Sequence, residues 1–339
     1  MSVDNAPDGA FAELADPYRR ELLAHCYRMV GSVHDAEDLV QETLLRAWRG
    51  YPRFDGRSSL RTWLYRIATN ACLTALGGNS RRMLPSGLGS GTPDSEHAEL
   101  RRLDSVAWLE PAPTTALTTA MTDPAAVAVT RDSTRLALIA AFQLLPARQR
   151  AVLILVDVAG YAPAEAADLL GVTVTAARSL LQRARETIHV NRPAMDRTTT
   201  DRTTDRTTTD HTTATAVEES VLGRYLQAFE SADIALLAEL LRADVEYEMP
   251  PHPVWFVGRD AVLDHHRRRV LGHRTRALRT SANGFPALAT YSERADGSFA
   301  PHAIHVLEIE NGLIARVTVF LDERLFGSFS LPATLPAVV

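Results

Sequence analysis

The sequence predicts a multidomain protein: two all-α domains within the first 192 residues, the second carrying a helix-turn-helix, then a C-terminal α+β domain. Apolar residues recur at helical spacing through 11–78 and again through 126–192. A stretch rich in Gly, Pro, Ser and Thr, without sustained period, separates these blocks at 79–125 and reads as a linker. Beyond residue 216, helices give way to strand-like alternation that runs to about 331.

The 339 residues fit two to three domains, and 46% hydrophobic with 23% charged residues is ordinary for a globular chain. No apolar run reaches the roughly 18 residues that a membrane span needs. Met1 to Ala10 is polar and acidic, unlike a signal peptide, so a cytoplasmic protein without membrane contact is expected. Cys26 and Cys72 both fall in apolar helical patterns and read as buried free thiols. Two cysteines give no support to a disulfide framework or a zinc site. All 36 basic residues are arginine. Arginine offers phosphate and guanine a planar fork. The net charge of −5 excludes a globally basic DNA coat, but the local balance differs. Residues 31–42 hold Asp35, Glu37, Asp38 and Glu42 with no arginine, whereas 43–82 hold eight arginines against Asp55 alone. An acidic patch beside a basic one points to two different partners.

In a helix near 34–49, Ala36, Leu39, Val40, Leu44 and Ala47 share one face, and Asp35, Asp38 and Glu42 turn away from it. The loop Phe54-Asp55-Gly56-Arg57-Ser58-Ser59 leads to a helix with Leu60, Trp63, Leu64, Ile67, Ala68 and Ala71 as its apolar positions. Arg61, Arg66 and Asn70 project elsewhere. The Trp63 ring reads as core.

In the second helical block, Leu145-Pro146 opens a helix that Gly160 ends. Pro163 suits a first turn, Gly171 a tight turn and Thr173 an N-cap. The last helix places Ala177, Leu180, Leu181, Ala184 and Ile188 on one face. Thr175, Arg178, Ser179 and Gln182 share another, flanked by Arg183 and Arg185. Such a helix sets its N-terminal polar residues against base edges and its flanking arginines against phosphates.

The tract 195–213, built of Asp-Arg-Thr-Thr units, cannot bury a core, so 193–215 reads as a disordered tether. Next come helices around Val221 to Phe229 and Ala235 to Leu241, alternation at 245–249, a helix at 260–271, and strands near 277–283, 287–293, 302–310 and 313–321. Asn311-Gly312 gives a two-residue hairpin signal. Adjacent His265 and His266 point in different directions on a helix. His302 and His305, an odd number apart, face opposite sides of a strand. No spacing suggests a metal site.

The stretches DAEDLVQETLLRAW (35–48) and FDGRSSLRTWLYRIATNACL (54–73) resemble region 2 of the extracytoplasmic-function (ECF) sigma factors of the sigma-70 class. LPARQRAVLILVDVAGY (145–161) and LLGVTVTAARSLLQRARETI (169–188) resemble their region 4. The resemblance implies promoter recognition and transcription initiation, with core RNA polymerase (beta-prime clamp and beta flap) and promoter DNA as partners, and no cofactor. It implies polymerase docking at Asp35, Asp38, Leu39, Gln41, Glu42 and Leu45. It implies −10 element capture and melting at Asp55, Gly56, Arg57, Ser58, Ser59, Arg61, Arg66 and Asn70, where an extruded base exposes its pairing edge. It implies −35 reading at Thr173, Thr175, Arg178, Ser179, Gln182, Arg183 and Arg185. Arg178 stands where many relatives carry asparagine. Arginine prefers guanine and asparagine adenine, so the bases read are expected to differ.

MPPHPVWFVGRDAV (249–262), PHAIHVLEIENGLIARVTVFLD (301–322) and FGSFSLP (326–332) resemble the SnoaL-like branch of the nuclear transport factor 2-like fold, a curved sheet wrapped around helices. Together with Trp108-Leu109-Glu110-Pro111 and DPAAVAV (123–129), they resemble an ECF subgroup with this appended domain. Relatives on the fold include cyclases and isomerases that use Asp, His or Tyr in the cone. Tyr247, His252, Trp255, His265, His302, His305 and Asp322 are thus candidate cavity residues, with packing or surface roles as the alternative. No catalytic pair is assigned, because a cavity fold does not fix its chemistry. Two readings follow. Either the domain regulates the sigma domains in cis by intramolecular contact, or it is a ligand sensor or small-molecule enzyme fused to a sigma factor.

Overall fold

The structure, a computed structural model, describes residues 6–77, 81–118, 135–196, 208–270 and 272–337. The chain divides into two compact units, Met1–Arg82 with Thr115–Met195, and Met83–Thr114 with Asp196–Val339. The DPAAVAV stretch lies outside the described residues.

In the first unit, α1 (Ala6–Ala15), α2 (Arg19–Val30), α3 (Val33–Gly50) and α4 (Leu60–Leu76) form a bundle. Ser32 Oγ accepts from Asp35 N (3.1 Å) to start α3, and Ser59 Oγ accepts from Thr62 N (3.1 Å) to start α4. Ala36, Leu39, Val40 and Ala47 bury one side of α3. Helix α2 is covered nearly all round, including Leu22, Cys26, Tyr27 and Met29, because α3 and α4 pack on it along with later helices. Cys26 and Cys72 are free and buried. Their contact and their burial raise the Cys72 thiol well above its ordinary pKa.

The later helices are α5 (Leu136–Phe142), α6 (Ala147–Leu153, continued by a wider turn Ile154–Val158), α7 (Pro163–Leu170) and α8 (Val174–Asp196). Gly171, at φ +63°, reverses the chain after α7 in a conformation costly for any residue with a Cβ. Thr173 Oγ1 then accepts from Ala176 N (3.2 Å). Ala166, Leu169 and Leu170 of α7 and Ala177, Leu181 and Ala184 of α8 are buried, which makes α7–turn–α8 a helix-turn-helix.

One buried cation ties the two helical blocks together. Arg150 of α6 donates to the Met29 carbonyl at the end of α2, to Gln143 Oε1 (2.7 Å) and to the Leu145 carbonyl (3.1 Å). Burial pushes its pKa down to about 10. It stays charged at neutral pH, because these acceptors replace water around it.

The second unit holds α9 (Thr208–Glu230), α10 (Ile234–Leu240), β1 (Leu241–Glu248), β2 (Trp255–Val257), α11 (Arg259–His265), β3 (Thr275–Ala282), β4 (Phe285–Glu293), β5 (Phe299–Glu310) and β6 (Leu313–Phe320). The sheet order is β2-β1-β6-β5-β4-β3, antiparallel throughout except for β1 against β6. Val221, Tyr225 and Phe229 of α9 and Leu237 and Leu240 of α10 join the sheet's inner face in one core.

Three features differ from the sequence reading. The tether is shorter than 193–215, since α8 reaches Asp196 and α9 begins at Thr208; 197–207 lie outside the described residues. A helix nucleated by its amphipathic part extends cheaply into polar sequence. Asn283-Gly284 is a second two-residue hairpin, with positive φ at both positions, like Asn311-Gly312. Strand β2 spans only three residues, too few to show a period.

The linker belongs to the second unit and meets its sheet at two places, beside β2 and at the end of β3. At the β2 edge, Thr92 N donates to the Trp255 carbonyl (3.0 Å) and Val257 N to the Thr92 carbonyl (3.1 Å). In the turn after β3, Asn283 N donates to the Ala112 carbonyl (3.0 Å), and Ala112 N to Asn283 Oδ1 (2.9 Å), beside the bridge of Pro113 to Ala282. Exposed edges are open to unwanted pairing, and here the linker backbone covers the short β2 edge and the last residue of β3.

Replacing Arg150 with alanine should destabilise the first unit by about 3 kcal/mol, since buried acceptors lose their donor. Urea unfolding of the full chain checks this through an earlier first transition; an unchanged midpoint would contradict the role given to Arg150.

Candidate promoter-reading faces and a histidine-lined cavity

On α3, Asp38, Gln41, Glu42 and Leu45 are exposed, while Leu39 is buried and Asp35 is held by Arg82 (2.5 Å). Leu45 (51% exposed) and Trp48 (42%) add apolar surface beside these acids. Exposed large apolar side chains next to carboxylates make a face suited to a partner that is both apolar and basic. Trp48 was not among the residues singled out from sequence. Its exposure is the signal, and only the structure shows it.

The loop before α4 projects Arg57, which pairs with Asp55 (2.5 Å) around Gly56. That pairing holds the Asp55 carboxyl below its usual range. Phe54 stacks on Trp63 (4.8 Å), and this fixes the base of the loop; the Trp63 ring is half-buried rather than fully in the core. Asn70 is exposed.

Arg61 and Arg66, which the sequence placed away from the apolar face, are both engaged by other side chains, Arg61 half-buried and Arg66 still partly exposed. Arg61 binds Glu21 and the Ala159 carbonyl (3.2 Å) and lies over the rings of Tyr65 and Tyr161 (4.9 Å each). Burial opposes its charge, but the Glu21 carboxylate more than compensates and holds the guanidinium protonated. Arg66 pairs with Asp168 of α7. Two candidate −10 residues are therefore engaged by the helix-turn-helix block within one unit.

On α8, Thr173, Thr175, Arg178, Ser179, Gln182 and Arg183 are exposed along one side, and Gln182 bonds Glu186 (2.9 Å). Arg185 is held by Asp157 through two bonds (3.0 and 2.6 Å). The face keeps the polar centre and arginine flank of a groove-reading helix.

In the second unit, Tyr247, His252, His265, His302 and His305 line a common cavity of about 250 Å³. His302 and His305 reach it together, contrary to strict alternation. The β4–β5 register pairs Thr290 with Ala303 but Tyr291 with Pro301, so a bulge at His302 resets the phase. Trp255 and Asp322 are not on this cavity. Trp255 Nε1 donates to the Gly89 carbonyl (3.0 Å), and Asp322 pairs with Arg324 (2.6 Å). Sequence reasoning missed Arg269, which lines the cavity and donates to the Ala98 carbonyl (3.3 Å).

Burial pushes His265 down to about 3 and His266 to about 4, and it holds His305 well below its ordinary value. His305 Nδ1 lies 3.2 Å from Tyr225 Oη, while His265 Nδ1 has no partner among the described residues. Among the described residues, no three His, Cys, Asp or Glu side chains gather as a metal site. No described helix is long and apolar enough to cross a membrane.

The first unit thus carries a helix face with exposed acids, an arginine-bearing loop and helix, and a helix-turn-helix, and the second unit carries a sheet domain. Residues 14–82 match the family Sigma-70 region 2, 135–188 match Sigma-70, region 4, and 222–317 match the SnoaL-like domain. The chain is 46% identical to the ECF RNA polymerase sigma factor SigG of Mycobacterium tuberculosis over 333 residues, covering 96% of this chain and 85% of SigG. It is 27% identical to M. tuberculosis SigJ over 233 residues, 68% of this chain and 61% of SigJ. The crystal structure of SigJ superposes with a TM-score of 0.57 at 23% identity, over 95% of this chain and 99% of that one, which shows a shared fold. The chain belongs to the ECF RNA polymerase sigma factors. It binds core RNA polymerase and promoter DNA and directs transcription initiation.

Stability should fall on acidification. The buried histidines carry folded-state pKa values below the unfolded value of about 6.5. Their contribution is therefore present above pH ~6.5 and is lost as pH falls toward about 4. Thermal melts across this range should show a falling midpoint, with a shallower fall for His265→Phe. Identical slopes would contradict a buried neutral His265.

Proposed function

We propose that the C-terminal domain regulates this sigma factor in cis by holding the linker between regions 2 and 4, and that it does so as a regulator and not as an enzyme. The observation that carries the reading is the attachment of residues 83–114 to the C-terminal domain at a series of points. Ser86 N donates to buried Glu248 (3.0 Å), Ser95 Oγ to Asp264 (2.5 Å) and Leu103 N to the Pro251 carbonyl (3.0 Å), besides the pairs at Thr92 and Ala112.

Promoter geometry gives the capture its consequence. Elements at −10 and −35 lie about 25 base pairs apart, about 85 Å of duplex at about 3.4 Å per pair. Region 2 and region 4 touch through Arg66–Asp168 and Arg61–Ala159, so they cannot read both elements in this arrangement. They must part, and the linker between them must extend. A linker bound to the sheet resists that extension and lowers the competent fraction, and with it the apparent affinity for polymerase and promoter.

In the open form, Asp35, Asp38, Gln41, Glu42 and Leu45, with Trp48, would dock on the beta-prime clamp, with buried Leu39 anchoring the helix beneath them, and region 4 on the beta flap. The 55–59 loop with Arg61, Arg66 and Asn70 would hold the melted −10 strand. Thr173, Thr175, Arg178, Ser179, Gln182 and Arg183 would enter the −35 major groove, and Arg185 would meet phosphate. The site of action is the cytoplasm, where the polymerase is.

Gly91 provides the test. A Cβ there would strike Val257 Cγ2 and come within 2.8 Å of Trp255 Cζ3, so no larger residue fits against β2. Gly91→Leu should release the linker and raise run-off transcription with core polymerase several-fold at limiting protein. Unchanged or lower activity from a folded variant would sink the regulatory reading. Separately, Arg178→Ala should change the preferred −35 sequence, while Arg185→Ala should weaken binding evenly across promoters. An equal loss on all promoters for Arg178→Ala would remove it from base readout.

A further inference from the structure

The cavity in the second unit is unusual in its charge and in what closes it. At about 250 Å³ it holds roughly eight waters at about 30 Å³ each, room for a molecule of about a dozen heavy atoms. Its deep end is apolar and aromatic, with Phe229, Met249, Val319 and Leu321. Among the described residues, its polar groups are imidazoles, hydroxyls and one guanidinium, that of Arg269, and no carboxylate lines it. The buried imidazoles His265 and His305 are neutral, because burial lowers both. They offer hydrogen bonds without charge, and His265 Nδ1 is unsatisfied among the described residues at 3% exposure. A buried polar atom left unpaired is a standing cost that a ligand would relieve.

The rim is made by the linker. Leu100 lines the cavity, the Arg101 main chain hydrogen-bonds the His252 ring, and the Ala98 carbonyl takes the Arg269 donor at 3.3 Å. The cavity's single cation is thus spent on a long bond to a neutral acceptor. A carboxylate would compete well, since it meets the guanidinium with opposite charge and two parallel bonds, where the carbonyl offers one neutral acceptor.

We propose that this cavity binds a compact monocarboxylic acid with an apolar or aromatic body, whose carboxylate takes Arg269 from Ala98 and so loosens the linker. The ring would lie among Phe229, Met249 and Val319, and His265 Nδ1 would gain a partner. The acid would then be an inducing ligand. This consequence rests on the linker reading above, whereas binding itself does not.

The test uses the full chain with phenylacetate, its neutral isostere phenylacetamide, and acetate, by calorimetry and by hydrogen exchange of the 98–103 amides. Phenylacetate should bind with a dissociation constant below about 1 mM and speed exchange at Leu103. Phenylacetamide and acetate should each bind at least tenfold more weakly, as the first lacks the charge and the second the body. Arg269→Gln should weaken phenylacetate at least tenfold, and Ser292→Trp, a half-buried position on the wall, should block it while preserving the fold. No binding of phenylacetate, equal binding of the amide, or binding unaffected by Arg269→Gln would overturn the ligand class. Binding with unchanged or slower Leu103 exchange would overturn its link to the linker. Either failure leaves the Gly91→Leu result free to stand, so the two readings fail separately.

Discussion

Backbone pairing between the linker and the sheet is the interaction on which the second unit depends. A six-stranded sheet has β2 and β3 at its margins. The linker pairs at one point with each: Thr92 beside β2, and Pro113 at the last residue of β3, with Ala112 bonded to Asn283 of the turn that follows. This division of labour makes the linker a structural part of the C-terminal domain while it remains the covalent bridge between regions 2 and 4. An irregular segment with little core of its own thereby acquires order, from backbone pairing as in strand addition. The polar anchors at Glu248 and Asp264 fix its register. Glu248 is fully buried, and Arg316 compensates its charge.

A second economy operates in the first unit. Arginines whose positions match the −10-binding surface of relatives are occupied by the helix-turn-helix block. Arg61 is sandwiched by Tyr65 and Tyr161, and Arg66 is paired with Asp168. The Arg66 pair is largely exposed, worth little in water and easily exchanged for phosphate. The Arg150 cluster is buried and holds the same blocks more firmly. The interface thus combines one strong buried anchor with a weak surface pair whose cation has an alternative anionic partner. Parting the blocks would exchange Asp168 for phosphate at Arg66 at little cost, so the resistance to opening would come from the Arg150 anchor.

Much of this was legible in the chain. Helical period, Pro163, Gly171 and Thr173 placed the helix-turn-helix, because capping and turn chemistry are local. Ser32 and Ser59 likewise mark the starts of α3 and α4. The cavity was legible in part. Tyr247, His252, His265, His302 and His305 converge, but alternation separated His302 from His305 because a bulge leaves no mark in composition. Trp255 and Asp322 lie elsewhere, since their direction depends on pairing partners remote in sequence. The linker's attachment was not legible at all. Backbone hydrogen bonds from aperiodic sequence carry no pattern, and Gly91 shows its purpose only against Trp255 and Val257.

If a linker fixed to the sheet holds the sigma factor inactive, locking it there is the most direct measurement. Pro113 of the linker and Ala282 of β3 face each other as an antiparallel bridge, at the spacing a disulfide needs. In a Pro113→Cys, Ala282→Cys double variant, run-off transcription with core polymerase should be low when oxidised and restored by reductant, with both single variants insensitive to redox state. Full activity in the cross-linked protein would contradict the account.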